Sequence, residues 1–352
     1  MFSDVFVGKK IVVTGHSGFK GSWLSLILSF LGADVYGFSI GEPSNLKHAY
    51  HALKIRQVVN SSSVIDGDVS GANFGLFLDY VQPDFIFHLA GQAVVKQSYE
   101  NPYNTILTNT FGVLNLLEYL RTSTLPVSTV IITSDKCYEN LGSNYSYDET
   151  DRLGGSDPYS SSKAAAELLY ESYLKSFFLE SSKGIATARA GNVFGGGDCA
   201  EFRLIPDSIN SIFESRKIHL RMPNATRPWT YVIDVLRGYL LLGKKLSESP
   251  REFAGSWNFA ANENLTVNAL VQILVQNMKH KFGSIEITQT TGVFKEHNLL
   301  QLNAKKANEK LGWYPKESIR ESIQETAEWY LRQNDDDDLD QFTISILEKF
   351  FR

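Results

Sequence analysis

The chain has 352 residues, 43% of them hydrophobic, which supports a sizeable core in one large or two smaller domains. Thirty-four basic residues against 39 acidic ones give a formal net charge of -5, so no broad basic field exists and nucleic acid is not expected as a partner. Two cysteines, Cys137 and Cys199, cannot make a disulfide framework, and with no signal-peptide pattern and no apolar run near the roughly 20 residues that span a bilayer, a soluble cytoplasmic protein is expected.

Residues 10–13 read as a short buried strand and residues 14–21 as a glycine-rich turn. A helix follows through Trp23, Leu24, Ile27 and Leu28. Strand, turn and helix in that order form a dinucleotide-binding unit. Gly15 allows the tight turn, Gly18 lets a pyrophosphate approach the helix N-terminus, and Gly21 permits close packing of helix on strand. His16 and Lys20 are unusual in such a loop. They either contact cofactor phosphates or substrate, or they face solvent.

The second strand, residues 34–38, ends at Ser39, where an acidic residue would grip an adenosine ribose. No arginine follows directly, which favours NAD over NADP with modest affinity. Residues 63–69 form a third strand and its turn, where Asp68 is placed to meet an adenine amino group or, with Asp66, to cap the next helix. Residues 83–92 form a fourth strand and its loop. Ala90 and Gly91 leave room for a cofactor, and His88 reads as a packed strand-end residue.

Residues 104–121 are helical, with Leu107, Phe111, Leu114, Leu117 and Leu120 near helical spacing. Val130, Ile131 and Ile132 form a buried strand that ends in Thr133-Ser134-Asp135-Lys136, and a second long helix covers residues 159–179. Tyr159 and Lys163, four apart, share one face of that helix. An ammonium beside a phenol stabilises the phenolate, which is expected to lower the Tyr159 pKa so that it can take a proton from a sugar or alcohol hydroxyl. Ser134, Asp135 and Lys136 add a hydroxyl donor, an acid and a base at the carboxyl end of a strand, where ligands bind in open α/β sheets. The two long helices carry more apolar positions than one sheet face requires. The surplus suits either a four-helix interface between two subunits or core packing alone.

Residues 184–189 form a sixth strand, after which the alternation breaks. Asn192, the loop 195–198 and Arg203-Leu204-Ile205-Pro206 open a segment that looks like a substrate lobe. A strand is expected at 217–222, a helix at 232–242, a strand at 256–259, a helix at 266–279 and a strand at 284–288. Helices at 302–311 and 318–333, an acidic break at 335–338 and a terminal helix at 342–351 complete the chain. The expected fold is α/β: a Rossmann-type doubly wound parallel sheet with a smaller mixed α/β C-terminal lobe. Residues 1–189, with a returning segment at about 230–258, make the cofactor domain; residues 190–229 and 259–352 make the nucleotide-sugar lobe.

The glycine loop together with Tyr159 and Lys163 resembles the extended short-chain dehydrogenase/reductase (NAD-dependent epimerase/dehydratase) family. A finer resemblance is to CDP-glucose 4,6-dehydratases. It rests on Thr14-Gly15-His16-Ser17-Gly18-Phe19-Lys20-Gly21, Thr133-Ser134-Asp135-Lys136-Cys137-Tyr138-Glu139-Asn140, and Gly154-Gly155-Ser156-Asp157-Pro158-Tyr159-Ser160. Ala190-Gly191-Asn192-Val193 with Gly195-Gly196-Gly197-Asp198, and Ala225-Thr226-Arg227-Pro228-Trp229, complete it. Departures from that pattern are Cys199 and Phe202 for Trp and Asp, Thr230-Tyr231 for Gln-His, Asp148 for Arg and Ala260-Ala261 for Gly-Pro.

The resemblance implies conversion of a nucleotide hexose, CDP-glucose first, to its 4-keto-6-deoxy form. Ser134, Asp135, Lys136, Tyr159 and Lys163 would be catalytic. Tyr159 takes the C4 hydroxyl proton, Lys163 holds the phenolate, Ser134 binds the new ketone, Asp135 is the acid and Lys136 the base. A basic Lys136 must fall several units from its usual pKa of about 10.4; a charged one would instead stabilise the enolate. The implied NAD contacts are Gly15, His16, Ser17, Gly18, Phe19, Lys20, Gly21, Asp68, Val69, Leu89, Ala90, Gln92 and Asn109, with Tyr159 and Lys163. The implied substrate contacts are Gln92, Asn192, Arg203, Leu204, Arg221, Arg227 and Glu296, with His297 beside it. Arginine forks at 203 and 227 suit the diphosphate. No metal is implied. A homodimer, or a homotetramer built on it, is expected, without nucleic acid or membrane.

The nearest rival is a nucleotide-sugar epimerase or reductase, which needs Tyr159, Lys163 and Ser134 but no pair at Asp135 and Lys136. A non-enzymatic dinucleotide sensor is a rival of another class; it would have no use for Tyr159 and Lys163.

Overall fold

A computed structural model describes residues 2, 4–60, 65–142, 145–261, 263–289 and 300–352. The first six strands of its main sheet are β1 (Lys10–Thr14), β2 (Asp34–Ser39), β3 (Ile65–Asp66), β4 (Phe85–His88), β5 (Ser128–Ile132) and β6 (Gly184–Ala190). After β7 (Asn192–Phe194) and β8 (Thr226–Tyr231), which lie outside the main sheet, the chain returns as β9 (Gly255–Phe259). The main sheet has seven strands in the order β9-β6-β5-β4-β1-β2-β3, and every pairing is parallel. The first strand is central, so the strand order reverses beside it and opens a crevice at the carboxyl ends of β1 and β4.

Helices cover both faces, which is why the inner strands read as unbroken apolar runs. On one face Ile11, Val13, Phe87 and Val130 pack under α1 (Phe19–Phe30) and, later in the chain, the helix Val232–Glu248. On the other, Val12, Ile86, Ile131 and Ile185 pack under α2 (Gly112–Thr122) and α3 (Pro158–Tyr173). The alternation of Ile11 and Val13 against Val12 is the period of two that a pleated strand imposes. The Val232–Glu248 helix, here α4, is buried along nearly its whole length because it carries the chain back to β9 beneath the sheet.

Among the described residues, a three-stranded sheet lies outside the main one. Strand β8 runs parallel to β7 and antiparallel to β10 (Asn264–Thr266), and α5 (Val267–Phe282) and α6 (Ile319–Asp335) pack beside them. Ser318 and Glu321 form a capping box that starts α6. The acidic run does more than meet solvent: Asp336 and Asp338 take left-handed conformations, and the Asp338 side chain caps α7 (Leu339–Phe351). The apolar face of α7 docks through Ile346, Leu347, Phe350 and Phe351.

Several boundaries differ from the expectation. The helix expected at 104–121 consists of Pro102–Ile106, a π-helical turn Leu107–Phe111, and α2. The wide turn swings Asn109 inward and leaves Phe111 48% exposed. The helix after Tyr159 also ends in a π turn, Leu174–Phe178. Gln301–Leu302 is a strand paired with Ser146–Tyr147, and the helix expected from residue 302 starts at Lys305. Of the third strand only Ile65–Asp66 falls within the described residues, because 61–64 lie outside them. Among the described residues, no helix is long and apolar enough to cross a membrane.

Candidate active site

The glycine loop follows β1. Gly15 has φ +67, and a side chain there would press within 2.9 Å of the Ala90 backbone. A Cβ on Gly21 would fall 2.0 Å from the Gly15 carbonyl oxygen, so helix and loop touch there. Gly18, by contrast, is exposed. It stands at the N-cap of α1 with no side-chain cap and no acidic residue in the first turn. The first N–H groups of α1 therefore remain open to an anion. Ser17 donates to Ser39 at 2.9 Å, tying the loop to the end of β2.

Thr14 accepts from the Ala90 backbone at 3.1 Å and pairs with His88 Nδ1 at 3.0 Å, so the β4 end is pinned to the β1 end, and Leu89 donates its N–H to the Thr14 carbonyl. Burial drops His88 to about 3, so it is a neutral packed ring. Asp68 is exposed and accepts from Ser70, while Val69 is buried against the sheet.

His16 does not face solvent. Its ring is buried against Gly37, where a Cβ would come within 2.5 Å of the imidazole, and against Tyr50 at 6.1 Å between centroids. Lys20 is half-buried and turns toward Lys163, Arg203 and Asp135, with its ammonium 5.9 Å from the Tyr239 ring centroid. Burial, reinforced by the neighbouring cations, lowers its pKa to about 7. Lys20 thus lies close to both the glycine loop and the Lys163–Asp135 group.

The strand end that carries Ser134, Asp135 and Lys136 is that of β5. Ser134 follows it and caps the short 3-10 turn Asp135–Cys137; its hydroxyl accepts from the Lys136 N–H at 3.2 Å and donates to Asp135 Oδ1 at 2.9 Å. Asp135 is buried and its carboxylate points at Gly191, where a Cβ would sit 3.4 Å from Oδ2. Lys136 is half-buried and, among the described residues, its ammonium makes no hydrogen bond or ion pair. Helix α3 starts with Pro158 in its first turn under the cap of Asp157, which accepts from Ser160 at 2.9 Å. That start fixes Tyr159 and Lys163 on one buried face, with Ser134 in hydrogen-bonding reach of the Tyr159 phenol.

The expectation of a lowered Tyr159 pKa is not met. Burial pushes it up to about 12; the Ser134 hydrogen bond and, less strongly, Arg203 pull the other way. Two physical reasons account for this. The phenolate would lose its water, and Lys163 is itself depressed to about 8 by burial, with its ammonium turned to the Ile132 carbonyl at 3.5 Å. Gly91 leaves the room for that ammonium, since a Cβ would lie 3.2 Å from Lys163 Nζ and 2.9 Å from Asn109 Oδ1. Asn109 spends its amide on the Gln92 backbone (2.8 and 3.0 Å) and on Ser162 (2.9 Å), joining the β4 loop to α3. The Gln92 side chain closes its own loop onto Val94 and reaches Thr105 at 3.1 Å. Cys137 is fully buried, and burial raises its thiol pKa well above the usual value; it packs and is no nucleophile.

On the substrate side, a cavity of about 350 Å³ runs between Phe19, His48, Val94, Asp198, Cys199 and Arg203. Asp198, absent from the sequence-based set, is buried and holds Arg203 Nη1 at 3.0 Å. Asn192 and Arg227 lie half-buried on β7 and β8, and Leu204 opens the helix Leu204–Phe213. Arg221 is farther out and exposed, 6.0 Å from the Phe202 ring, whose other neighbour is Lys96 at 3.9 Å. Glu296 and His297 lie outside the described residues. The three glycines 195–197 are packing residues: side chains there would strike Val232, Trp329 and Ala49.

Sequence reasoning also missed a buried network under this site, built on Glu167 and Arg189. The available signals were Glu167 four residues past Lys163 on the same helix face, and an arginine inside a wholly buried strand.

The uncapped α1 N-terminus, the close approach of loop and helix at Gly15 and Gly21, and the buried Tyr159–Lys163 pair at the sheet's carboxyl edge fit a dinucleotide. Together they define a dinucleotide-dependent enzyme of the extended short-chain dehydrogenase/reductase class. A family model described as GDP-mannose 4,6 dehydratase matches residues 12–326, and the chain belongs to that family. It is 35% identical over 332 residues to the CDP-glucose 4,6-dehydratase of Salmonella typhimurium, covering 92% of this chain and 90% of that one. Among solved structures it resembles the UDP-glucose-4-epimerase of Stenotrophomonas maltophila with bound NAD (TM-score 0.80, 18% identity, 93% and 99% of the two chains covered). It also resembles the dTDP-glucose 4,6-dehydratase of Streptomyces venezuelae with NAD bound (TM-score 0.75, 21% identity, 92% and 97% covered).

Proposed function

We propose that this enzyme is an NAD-dependent hydro-lyase that removes water from a nucleotide hexose, with CDP-glucose the substrate and the 4-keto-6-deoxy sugar the product. The observation that carries this reading is the Asp135–Lys136 pair on the turn beside Ser134, close to the Tyr159–Lys163 pair, in a chain 35% identical to a CDP-glucose 4,6-dehydratase. An epimerase needs the second pair but has no use for the first.

The first turn of α1, with Tyr159 and Lys163, would hold NAD, which when bound would supply reversible hydride acceptance. The chain's own groups do the proton work. Tyr159 takes the C4 hydroxyl proton, Lys163 holds the phenolate, and Ser134 donates to the forming carbonyl oxygen. That carbonyl acidifies the C5 proton. Lys136 removes it or steadies the enolate, and Asp135 protonates the C6 hydroxyl so that it leaves as water. Arg203 binds the diphosphate with the guanidinium edge that Asp198 does not occupy.

The active unit is a homodimer. Tyr103, Ile106, Phe111, Leu168 and Phe177 are large apolar side chains left exposed on the two neighbouring helical segments Pro102–Thr122 and Pro158–Phe178.

The test is to incubate the enzyme with NAD and each of CDP-, dTDP-, UDP- and GDP-glucose and weigh the products. The expected result is loss of one water from the cytidine sugar, at the highest kcat/KM of the four. An unchanged mass with an inverted sugar centre by NMR would favour the epimerase reading, and faster turnover of another base would overturn the cytidine assignment.

A further inference from the structure

Beneath the site, side chains from four separate segments converge on one ion pair. Glu167, on α3 one turn past Lys163, is 1% exposed. It accepts from Arg189 Nη2 at 2.7 Å, Thr187 at 2.9 Å and Ser256 at 3.1 Å, and from the hydroxyl of Thr133, the residue before Ser134. Arg189, near the end of β6, turns its other nitrogen to the Tyr138 hydroxyl at 2.7 Å. That hydroxyl donates to Asn258 Oδ1 at 2.8 Å on β9. Tyr138 is buried, comes two residues after Lys136 and terminates the Asp135–Cys137 turn.

Fold stability alone does not account for this arrangement. A buried ion pair is often no more stabilising than well-packed apolar residues of the same volume. What the pair does have is two ends with different chemistry. The Glu167 end grips the helix that carries Tyr159 and Lys163. The Tyr138 end grips the turn that carries Asp135 and Lys136. Oxidation at C4 and loss of water across C5 and C6 must act on one ring without its release, and a misplacement of about 1 Å costs on the order of a hundredfold in rate.

We propose that Glu167, Arg189 and Tyr138 form a positioning bridge that keeps the elimination pair, Asp135 and Lys136, in register with the oxidation pair, Tyr159 and Lys163. The inference rests on the proposed dehydratase reading. It makes the two half-reactions separable: cutting the bridge at its Tyr138 end releases the turn and leaves the helix in place.

Tyr138→Phe is the sharp variant, because it removes one hydroxyl and keeps the ring stacked on Tyr147 at 5.1 Å. Wild type and variant are mixed with NAD and CDP-glucose, quenched with borodeuteride and analysed by mass. The 4-keto hexose is trapped as a deuterated hexose and the product as a deuterated 6-deoxyhexose. Expected for the variant are tenfold to a hundredfold slower water loss (roughly the cost of a sub-ångström to 1 Å shift), a larger trapped 4-keto fraction, and an unchanged KM. Amide exchange should quicken in residues 134–140 and stay as in wild type across α3. Arg189→Lys, which keeps the charge beside Glu167 but shortens the arm to Tyr138, should behave the same way, and the double variant should be no worse than either single one.

If wild type dehydrates while Tyr138→Phe slows both steps alike, or neither, the bridge has no positioning role. A wild type that loses no water overturns the dehydratase reading, and this inference with it.

Discussion

Arg189 and Arg203 each pair with a buried carboxylate, and the regions they serve differ in what is left over. Arg189 lies in the floor of the site with its side chain 3% exposed, and both terminal nitrogens are used: one by Glu167 and Ser256, the other by Tyr138 and the Glu149 carbonyl. Arg203 lies at the rim, 35% exposed, with one nitrogen on Asp198 at 3.0 Å. Its charge is felt by Lys20 and Tyr159 across the cleft. An arginine with both terminal nitrogens bonded within the fold, as Arg189 has, holds backbone elements in place, although its buried Nε has no hydrogen-bond partner among the described residues. One with a terminal nitrogen to spare, facing a lysine depressed by burial as Arg203 does, is suited to an anion.

The largest test of this contrast bears on the floor. Tyr159→Phe should lower kcat by about a thousandfold, within the range of about 10² to 10⁴ for a lost acid–base group, with KM little changed. A drop below tenfold would take the proton transfer away from Tyr159. Next come the two arginines themselves. Arg189→Met strands Glu167 in the core and should cost about 3–5 kcal/mol of stability, read from denaturant unfolding. Arg203→Met should destabilise the fold less than Arg189→Met, because its side chain is 35% exposed and Asp198 keeps the Ala200 N–H, and it should raise KM for the nucleotide sugar about tenfold to a hundredfold, the worth of a hydrogen bond to a charged group at about 1.5–3 kcal/mol. If both variants unfold alike, or both only weaken binding, the distinction between floor and rim fails.

Gly91→Ala is a milder probe. Its methyl group meets Lys163 Nζ and the Asn109 carboxamide, and it should lower kcat by about tenfold at a stability cost of about 1–3 kcal/mol. The smallest effect is on pH. Without ligand, Lys20 and Lys163 lose their protons near 7 and 8, burial being the main cause in both. A diphosphate favours the charged lysines, so its binding takes up protons above pH 7 and its affinity falls as pH rises. Titration calorimetry with CDP should show a Kd about three- to tenfold weaker at pH 9 than at pH 7. A Kd that does not change with pH would mean the lysines do not face the diphosphate.

The parts that local spacing determines were legible in the sequence. The glycine turn between strand and helix, the apolar runs of β1 and β5, and Tyr159 and Lys163 on one helix face each follow from residues a few positions apart. The structure assembles them at one edge of the sheet. What could not be read depends on partners distant in the chain. Tyr159 is pushed up, not down, because burial is set by the whole packing around it. His16 turns inward because Gly37 on the next strand leaves a space for it. Asp198 explains why Arg203 stands where it does. Glu167 gains its partner only because β6 brings Arg189, 22 positions on, against α3. The π turn at Leu107–Phe111, which a regular period of 3.6 does not anticipate, is what delivers Asn109 to Gln92.

In the proposed reaction the hydrogen taken from the fourth carbon of the sugar returns to the sixth carbon of the same molecule. CDP-glucose carrying deuterium at C4 should be turned over with NAD and the product read by NMR. The label is expected in the new methyl group, with C5 carrying a solvent proton. Deuterium that stays at C4, or that is lost to solvent with no methyl group formed, would contradict it.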